Sequence, residues 1–117
     1  MALSDEEWLA LMRRYDDDTG WGMPRRAGIE GGVVELSRHL GNLVRTDPSR
    51  FISLASEFGQ DISSLYVSEF LKGLAESPAA PSLVFSACRT IWERRKEDPM
   101  VQKAICEAVS KRAKENI

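Results

Sequence analysis

The sequence predicts an all-α fold of about six short antiparallel helices, and three observations support this prediction. Residues that favour helix starts recur about every 17 residues from residue 30 onward. Apolar side chains between them repeat at helical spacing, and no segment alternates apolar and polar residues as a half-buried strand does. Two helices then give a period of about 34 residues, as in helical-hairpin repeats. We therefore expect a stack of hairpins, a segment of a HEAT-like α-solenoid; a compact helical bundle is the alternative.

Length and composition indicate one folded unit. The chain has 117 residues, of which 43% are hydrophobic and 29% charged, values that argue against disorder of the whole chain. We expect a single all-α domain over residues 1–117, with a first helix at 4–15, a long loop at 16–29 and a helical-hairpin array at 30–117. No glycine or polar cap ends the last helical pattern, so we also expect a segment of a longer protein.

The first helix has a clear start signal. Ser4 is a favourable N-cap, and Glu7 three residues later completes a capping box. The helix is expected to end at the acidic run of residues 16–20. Its apolar face consists of Trp8, Leu11, Met12 and Tyr15.

Prolines and serines mark the later starts. Asp47-Pro48 and Asp98-Pro99 each combine an N-cap aspartate with a proline at the first helical position. Ser63 or Ser64 is expected to cap the fourth helix, and Ser82 lies at the start of the fifth. Gly59 is a candidate left-handed terminator of the third helix.

The later helices each have one apolar face, and these faces supply the predicted core. The residues are Val33, Leu36, Leu40, Leu43, Val44, Phe51, Leu54, Ala55, Phe58, Tyr66, Val67, Phe70, Leu71, Leu74, Val84, Ala87, Cys88, Ile91, Trp92, Val101, Ala104, Ile105, Ala108 and Val109.

The loop at 16–29 is the best candidate for a binding element, because long loops without periodicity are often functional or disordered. Trp21 either folds back onto the helices as a plug or anchors a partner. Met23, Arg25 and Arg26 are the other candidate partner-binding residues. The aspartates at 16–18 do not fit a calcium-binding EF-hand loop, because Gly20, Trp21 and Ala27 occupy positions that need ligands or a glycine.

No pattern for catalysis, a cofactor or a metal is found in the sequence. Cys88 and Cys106 form no CxxC pair, and we expect both to be core or half-buried thiols. His39, the one histidine, is expected to be a partly buried structural residue. No P-loop lysine follows the glycines at 28–32, and these glycines are expected to allow close helix packing. We therefore predict that the protein is not an enzyme.

Charge and hydropathy restrict the partners. The isoelectric point near 5.5 argues against nucleic-acid binding, so the basic run 94–96 is expected to complement a helix C-terminus. No apolar run is long enough to span a membrane, and the acidic N-terminus is unlike a signal peptide; we therefore expect a cytoplasmic protein. Residues 1–84 have a net charge of −5 and residues 85–117 one of +3, which is compatible with a homodimer.

Four motifs give the chain a resemblance to a known class of proteins. They are Trp8-x-x-x-Met12-x-x-Tyr15-Asp16, Gly31-Gly32-x-x-Glu35-Leu36, Asp47-Pro48-x-Arg50-Phe51 and Tyr66-Val67-x-x-x-Leu71-x-Gly73-Leu74. Over residues 8–75 the chain resembles the helical-repeat segments of large bacterial NACHT or STAND-type multidomain NTPases. The resemblance implies a scaffolding or sensing segment that contacts protein. It implies no ATPase activity for this chain, which has no Walker motif.

The expected function is therefore protein–protein interaction within a larger assembly. The partner is either a separate protein or a neighbouring domain of the same polypeptide. The alternative is a small self-associating helical bundle that forms a homodimer.

Overall fold

The computed structural model describes residues 4–14 and 32–113, and all of its regular elements in these ranges are helical. The all-α prediction is confirmed for this part of the chain. The elements are α1 (Asp5–Arg14), α2 (Gly32–Thr46), α3 (Pro48–Phe51), a 3₁₀ helix (Ile52–Glu57), α4 (Ser64–Ala75), α5 (Pro81–Arg95) and α6 (Pro99–Ala113).

The start of α1 has the predicted capping box. The Ser4 amide donates to the Glu7 carboxylate at 2.8 Å, and the Glu7 amide donates to the Ser4 hydroxyl at 3.1 Å. The first helical turn therefore leaves fewer amides without partners. Trp8 and Met12 are buried as predicted, and Leu9 is buried as well.

Prolines begin α3, α5 and α6, but the two Asp-Pro starts differ. Asp98 accepts hydrogen bonds from the amides of Met100 at 3.1 Å and Val101 at 3.3 Å. Asp47 makes no capping bond, and its ψ of 70° lies outside the extended conformation that an N-cap usually adopts. It is the single residue between α2 and α3, and its amide still donates to Leu43 of the preceding helix. The prediction of a cap at Asp47 is therefore wrong.

The predicted third helix is shorter and tighter than expected. One α-helical turn, α3, passes directly into the 3₁₀ helix, which ends at Glu57. Gly59 does not adopt a positive φ, so it is not a left-handed terminator. The chain leaves the helix at Phe58, with φ −81° and ψ 76°. Ser63, rather than Ser64, caps α4 by accepting from the Leu65 amide at 3.2 Å.

Helix α4 lies at the centre of the packing, with α2 on one side and α6 on the other. Helix α5 packs on α6 and on the 3₁₀ helix, which also contacts α1. The largest buried side chains come mainly from α4 and the segment before it, including Tyr66, Phe70, Phe58 and Ile62. The Cα radius of gyration is 14.2 Å, near the roughly 13 Å of a compact domain of about 100 residues.

Most of the predicted core is buried, Leu36, Leu43 and Ile105 are partly buried, and the side chain of Val33 lies outside the described residues. Trp92 and Val109 are exceptions. Trp92 is 43% exposed and Val109 is 37% exposed. Both were therefore wrongly included in the predicted core.

Two glycines set the distance between α2 and α4. A Cβ atom added at Gly73 would lie 2.3 Å from the Gly41 carbonyl oxygen, far inside a normal contact. A Cβ added at Gly41 would lie 3.0 Å from the Glu69 carbonyl oxygen. The two backbones therefore touch where these glycines meet, an approach that residues with a side chain would prevent. Of the glycines at 28–32 that were predicted to serve this purpose, Gly28 and Gly31 lie outside the described residues, and Gly32 is the first residue of α2.

Two buried arginines fix the connections between helices. Arg95, at the end of α5, donates to the carbonyls of Gly59 at 2.5 Å and Ile62 at 2.7 Å, and to Asp98 at 2.9 Å. Arg112, near the end of α6, donates to the carbonyls of Ala75, Ser77 and Ala79. Each guanidinium thus holds the loop that precedes α4 or α5, using the several donors that arginine provides.

Candidate binding surface

The sequence-predicted binding residues Trp21, Met23, Arg25 and Arg26 lie outside the described residues. The surface features of residues 4–14 and 32–113 therefore provide the candidate site. Among these features, the outer surface of α2, α4 and α6 has two neighbouring grooves.

The first groove, between α4 and α6, has a volume of about 500 Å³. Small side chains form its base: Ala75 on α4 and Ala104 and Ala108 on α6 are each at most 8% exposed. Met100, at the start of α6, is 44% exposed and provides apolar surface within the groove. The complete lining is Leu65, Ser68, Glu69, Lys72, Ala75, Glu76, Met100, Lys103, Ala104, Glu107, Ala108 and Lys111.

The second groove, between α2 and α4, has a volume of about 410 Å³. Gly41 and Gly73 lie in it, so the close helix crossing also shapes this depression. Its lining consists of Arg38, Gly41, Asn42, Arg45, Glu69, Lys72, Gly73 and Glu76. The two grooves share Glu69 and Lys72 on α4 and Glu76 directly after its end, and together they form one grooved surface.

Glu76 connects the three helices of the grooved surface. Its carboxylate lies 3.2 Å from the guanidinium of Arg45 on α2 and 3.7 Å from the ammonium of Lys111 on α6. Both cations are about half exposed, so each pair contributes under about 1 kcal/mol to stability. The main effect of Glu76 is to balance part of the local positive charge.

Lys72 and Lys103 are the exposed cations on opposite sides of the first groove. Lys72 belongs to α4 and Lys103 to α6. Neither forms an ion pair with another residue of the described ranges. Within the part of the chain that the structure describes, no carboxylate lies at ion-pair distance from these two ammonium groups.

The basic run 94–96 does not form a continuous exposed patch. Arg94 and Lys96 are exposed, but Arg95 is only 4% exposed because its guanidinium is used within the fold.

Asp98, partly withdrawn from water, would have a raised pKa from burial alone, but hydrogen bonds from Ser64 and Arg95 hold its pKa below the usual value of 3.8. The ionised Asp98 therefore stabilises the α5–α6 turn.

Cys88 is buried as predicted, whereas Cys106 and His39 are more exposed than predicted. Burial raises the pKa of the Cys88 thiol to about 11, so this thiol stays protonated and unreactive near neutral pH. Cys106 is exposed on α6 rather than half-buried. His39 is exposed too, with its ring 6.2 Å from the Trp8 ring, centroid to centroid. Within the described ranges, no group of three or more His, Cys, Asp or Glu residues could hold a metal ion.

The grooved surface was not predicted from the sequence. Its signals are weak, because Ala104 and Ala108 fit an ordinary buried helix face and Lys72 and Lys103 resemble ordinary solvated lysines. Only the placement of α4 beside α6 brings these residues together. The spacing of small residues at 104 and 108, four positions apart, is the one local hint of a close neighbour.

Comparison of the chain with protein-family models, with curated proteins and with solved structures gives no match. The resemblance to helical-repeat segments of NACHT or STAND-type proteins thus stays a prediction. Among the helices of the described residues, none combines the length and the apolar character needed to cross a membrane.

Proposed function

We propose that this chain is a non-enzymatic helical-repeat domain that binds a protein partner through the grooved surface of α2, α4 and α6. The observation that carries the proposal is the α4–α6 groove, with its base of small residues and its charged walls. Such a groove fits a segment of another polypeptide, in which an apolar side chain enters the groove and polar groups meet the rim. The partner is a separate protein or a neighbouring domain of a longer polypeptide.

The packing order supports a repeat arrangement. Helices α2, α4 and α6 are neighbours in a row, although the chain visits α3, the 3₁₀ helix and α5 between them. In stacked hairpins, alternate helices are neighbours in this way. The compact bundle is the competing arrangement, and the radius of gyration near that of a compact domain favours it.

The two buried arginines also support repetition. Arg95 and Arg112 are 17 residues apart, and each reaches back over roughly the same number of residues to a loop before an earlier helix. A repeated contact at the helix interval is expected when successive layers have the same geometry.

Site-specific photo-crosslinking tests the proposed surface. A benzophenone amino acid replaces Lys103 in the first groove, and the same group replaces Arg89, an exposed residue of α5 that lines neither groove. We expect a discrete adduct at position 103 in cells of the source organism, and none of the same mass at 89.

A groove-filling variant provides the control. Ser68→Trp fills the α4 side of the groove, and Ser86→Trp makes the same change on an exposed turn of α5. The adduct at position 103 should disappear with Ser68→Trp and persist with Ser86→Trp. Equal adducts at both crosslinker positions, or none at 103, would contradict the proposal; an adduct with twice the mass of the chain supports the homodimer alternative.

A further inference from the structure

We infer that the grooved surface recognises an acidic segment of its partner that also carries an apolar side chain. This inference rests on the proposed function and adds the chemistry of the ligand. It is based on the sign of the charges around the grooves, on two lysines that form no ion pair within the described residues, and on the exposed methionine.

The charges that line the two grooves are predominantly positive. Five cations and three carboxylates occupy the lining, although the whole chain has a net charge of −2. The cations are Arg38, Arg45, Lys72, Lys103 and Lys111, and the carboxylates are Glu69, Glu76 and Glu107. The charges that line the grooved surface therefore have the opposite sign to the net charge of the chain, which favours an acidic ligand there.

The positions of these charges leave part of the positive charge without a balancing carboxylate among the described residues. Glu76 lies within ion-pair distance of both Arg45 and Lys111, so one carboxylate balances only part of two cations. Lys72 and Lys103 add two exposed ammonium groups on opposite walls of the first groove. A carboxylate between these walls would lie near cations of both α4 and α6.

The apolar requirement comes from Met100 and Leu65. Met100 is largely exposed, and Leu65 is partly buried against the core. Both line the first groove, whose base of alanines leaves space between them. Methionine adapts its shape to different apolar partners, so an apolar side chain flanked by acidic residues is the ligand pattern that this groove favours.

A selection from a displayed random library of 12-residue peptides tests the inference. The 117-residue chain is the target, and peptides that also bind the Ser68→Trp variant are removed. We expect the remaining peptides to carry a net negative charge and an apolar residue between acidic ones. The most enriched peptide is then synthesised with a fluorescent label, and its Kd is measured by anisotropy.

Charge-reversal pairs provide the matched comparison. Lys72→Glu with Lys103→Glu changes the net charge by the same amount as Arg89→Glu with Lys96→Glu, which alters cations outside both grooves. We expect the first pair of substitutions to raise the Kd at least about tenfold and the second less than about threefold. The first pair removes cations that would contact the peptide directly, whereas the second changes only the long-range attraction between protein and peptide. Raising salt from about 0.05 to 0.5 M should weaken binding to the wild type and reduce the difference between the pairs.

The outcomes separate the inference from the proposed function. Groove-binding peptides without acidic residues, or equal effects of the two reversal pairs, would overturn the acidic specificity and leave the binding surface intact. Failure to recover any peptide that Ser68→Trp blocks would overturn the inference as well, and the crosslink at position 103 would then decide the proposed function independently.

Discussion

Single residues determine the packing of this fold where two helix backbones are in contact and where a buried guanidinium binds backbone carbonyls. The contact of Gly73 with Gly41 was not predicted, although both glycines are visible within helical segments of the sequence. A glycine in a helix destabilises it by up to about 1 kcal/mol relative to alanine. Its presence therefore indicates a structural requirement at that position, but the sequence does not show which residue the glycine contacts. The same holds for Arg95 and Arg112, which resemble ordinary cations at helix ends until the loops they bind are known.

Gly73→Ala should destabilise the protein by about 1–3 kcal/mol, even though alanine favours helices. The new Cβ would meet the Gly41 backbone at 2.3 Å, so α2 and α4 must separate. Urea denaturation followed by circular dichroism measures the loss. Gly59→Ala is the control, because its Cβ meets only an Asp61 side-chain oxygen at 3.2 Å. Equal stability of the Gly73→Ala variant and the wild type would show that the helices do not cross at these glycines.

Arg112→Met should cost about 2–4 kcal/mol of unfolding free energy. Methionine keeps much of the apolar stem but leaves the carbonyls of Ser77 and Ala79 without their charged donor. Lys111→Met, one position earlier, removes an exposed cation and should cost under about 1 kcal/mol. Thermal melts of both variants provide the test, and similar melting temperatures would exclude a structural role for the Arg112 hydrogen bonds.

At the scale of the elements, starts were predicted better than ends. The capping box of α1 and the prolines of α3, α5 and α6 depend on local chemistry, so the sequence contains their signal. The 3₁₀ helix and the conformation at Gly59 differ from prediction. Their geometry depends on contacts with α1 and α5, and with Arg95, which are distant in sequence. The two Asp-Pro motifs differ for a similar reason, because only Asp98 has Ser64 and Arg95 beside it.

Asp98→Ala and Asp47→Ala form a matched test of these two motifs. At pH 7 we expect a loss of about 1–3 kcal/mol for Asp98→Ala, which removes a cap and an ion pair, and under about 0.5 kcal/mol for Asp47→Ala. Equal losses would show that the Asp98 contacts add nothing to an ordinary helix start.

The pH dependence gives a second readout for Asp98. Its pKa is lower in the folded protein than the usual 3.8, so the ionised form stabilises the fold above that pH. This contribution is lost as pH falls through the lower, folded-state pKa. Between pH 7 and 3, the wild type should therefore lose more unfolding free energy than Asp98→Ala. Parallel pH profiles of the two proteins in urea denaturation would contradict the assignment.

At the scale of the whole molecule, the all-α class follows from the periodicity of apolar residues, and the grooved surface does not. The groove is formed because α6 packs beside α4, which is a non-local arrangement. The spacing of about 17 residues does not decide between a hairpin stack and a bundle. Lys72 and Lys103 are 31 positions apart, and nothing local indicates that they share one groove.

Native-state amide hydrogen exchange can decide between these two arrangements. In a stack of neighbours, each helix is stabilised mainly by the layers beside it. Because α4 has α2 and α6 on its two sides, its amides should be the slowest, at least about tenfold slower than those of α2. A compact bundle with one shared core would instead open as a single unit, so the slowest amides of α2, α4, α5 and α6 would all exchange at one common rate. Gly73→Ala adds a direct check: in a stack it should speed exchange in α2 and α4 while leaving the α5–α6 hairpin nearly unchanged, whereas in a single cooperative bundle it should speed the slowest amides of every helix equally.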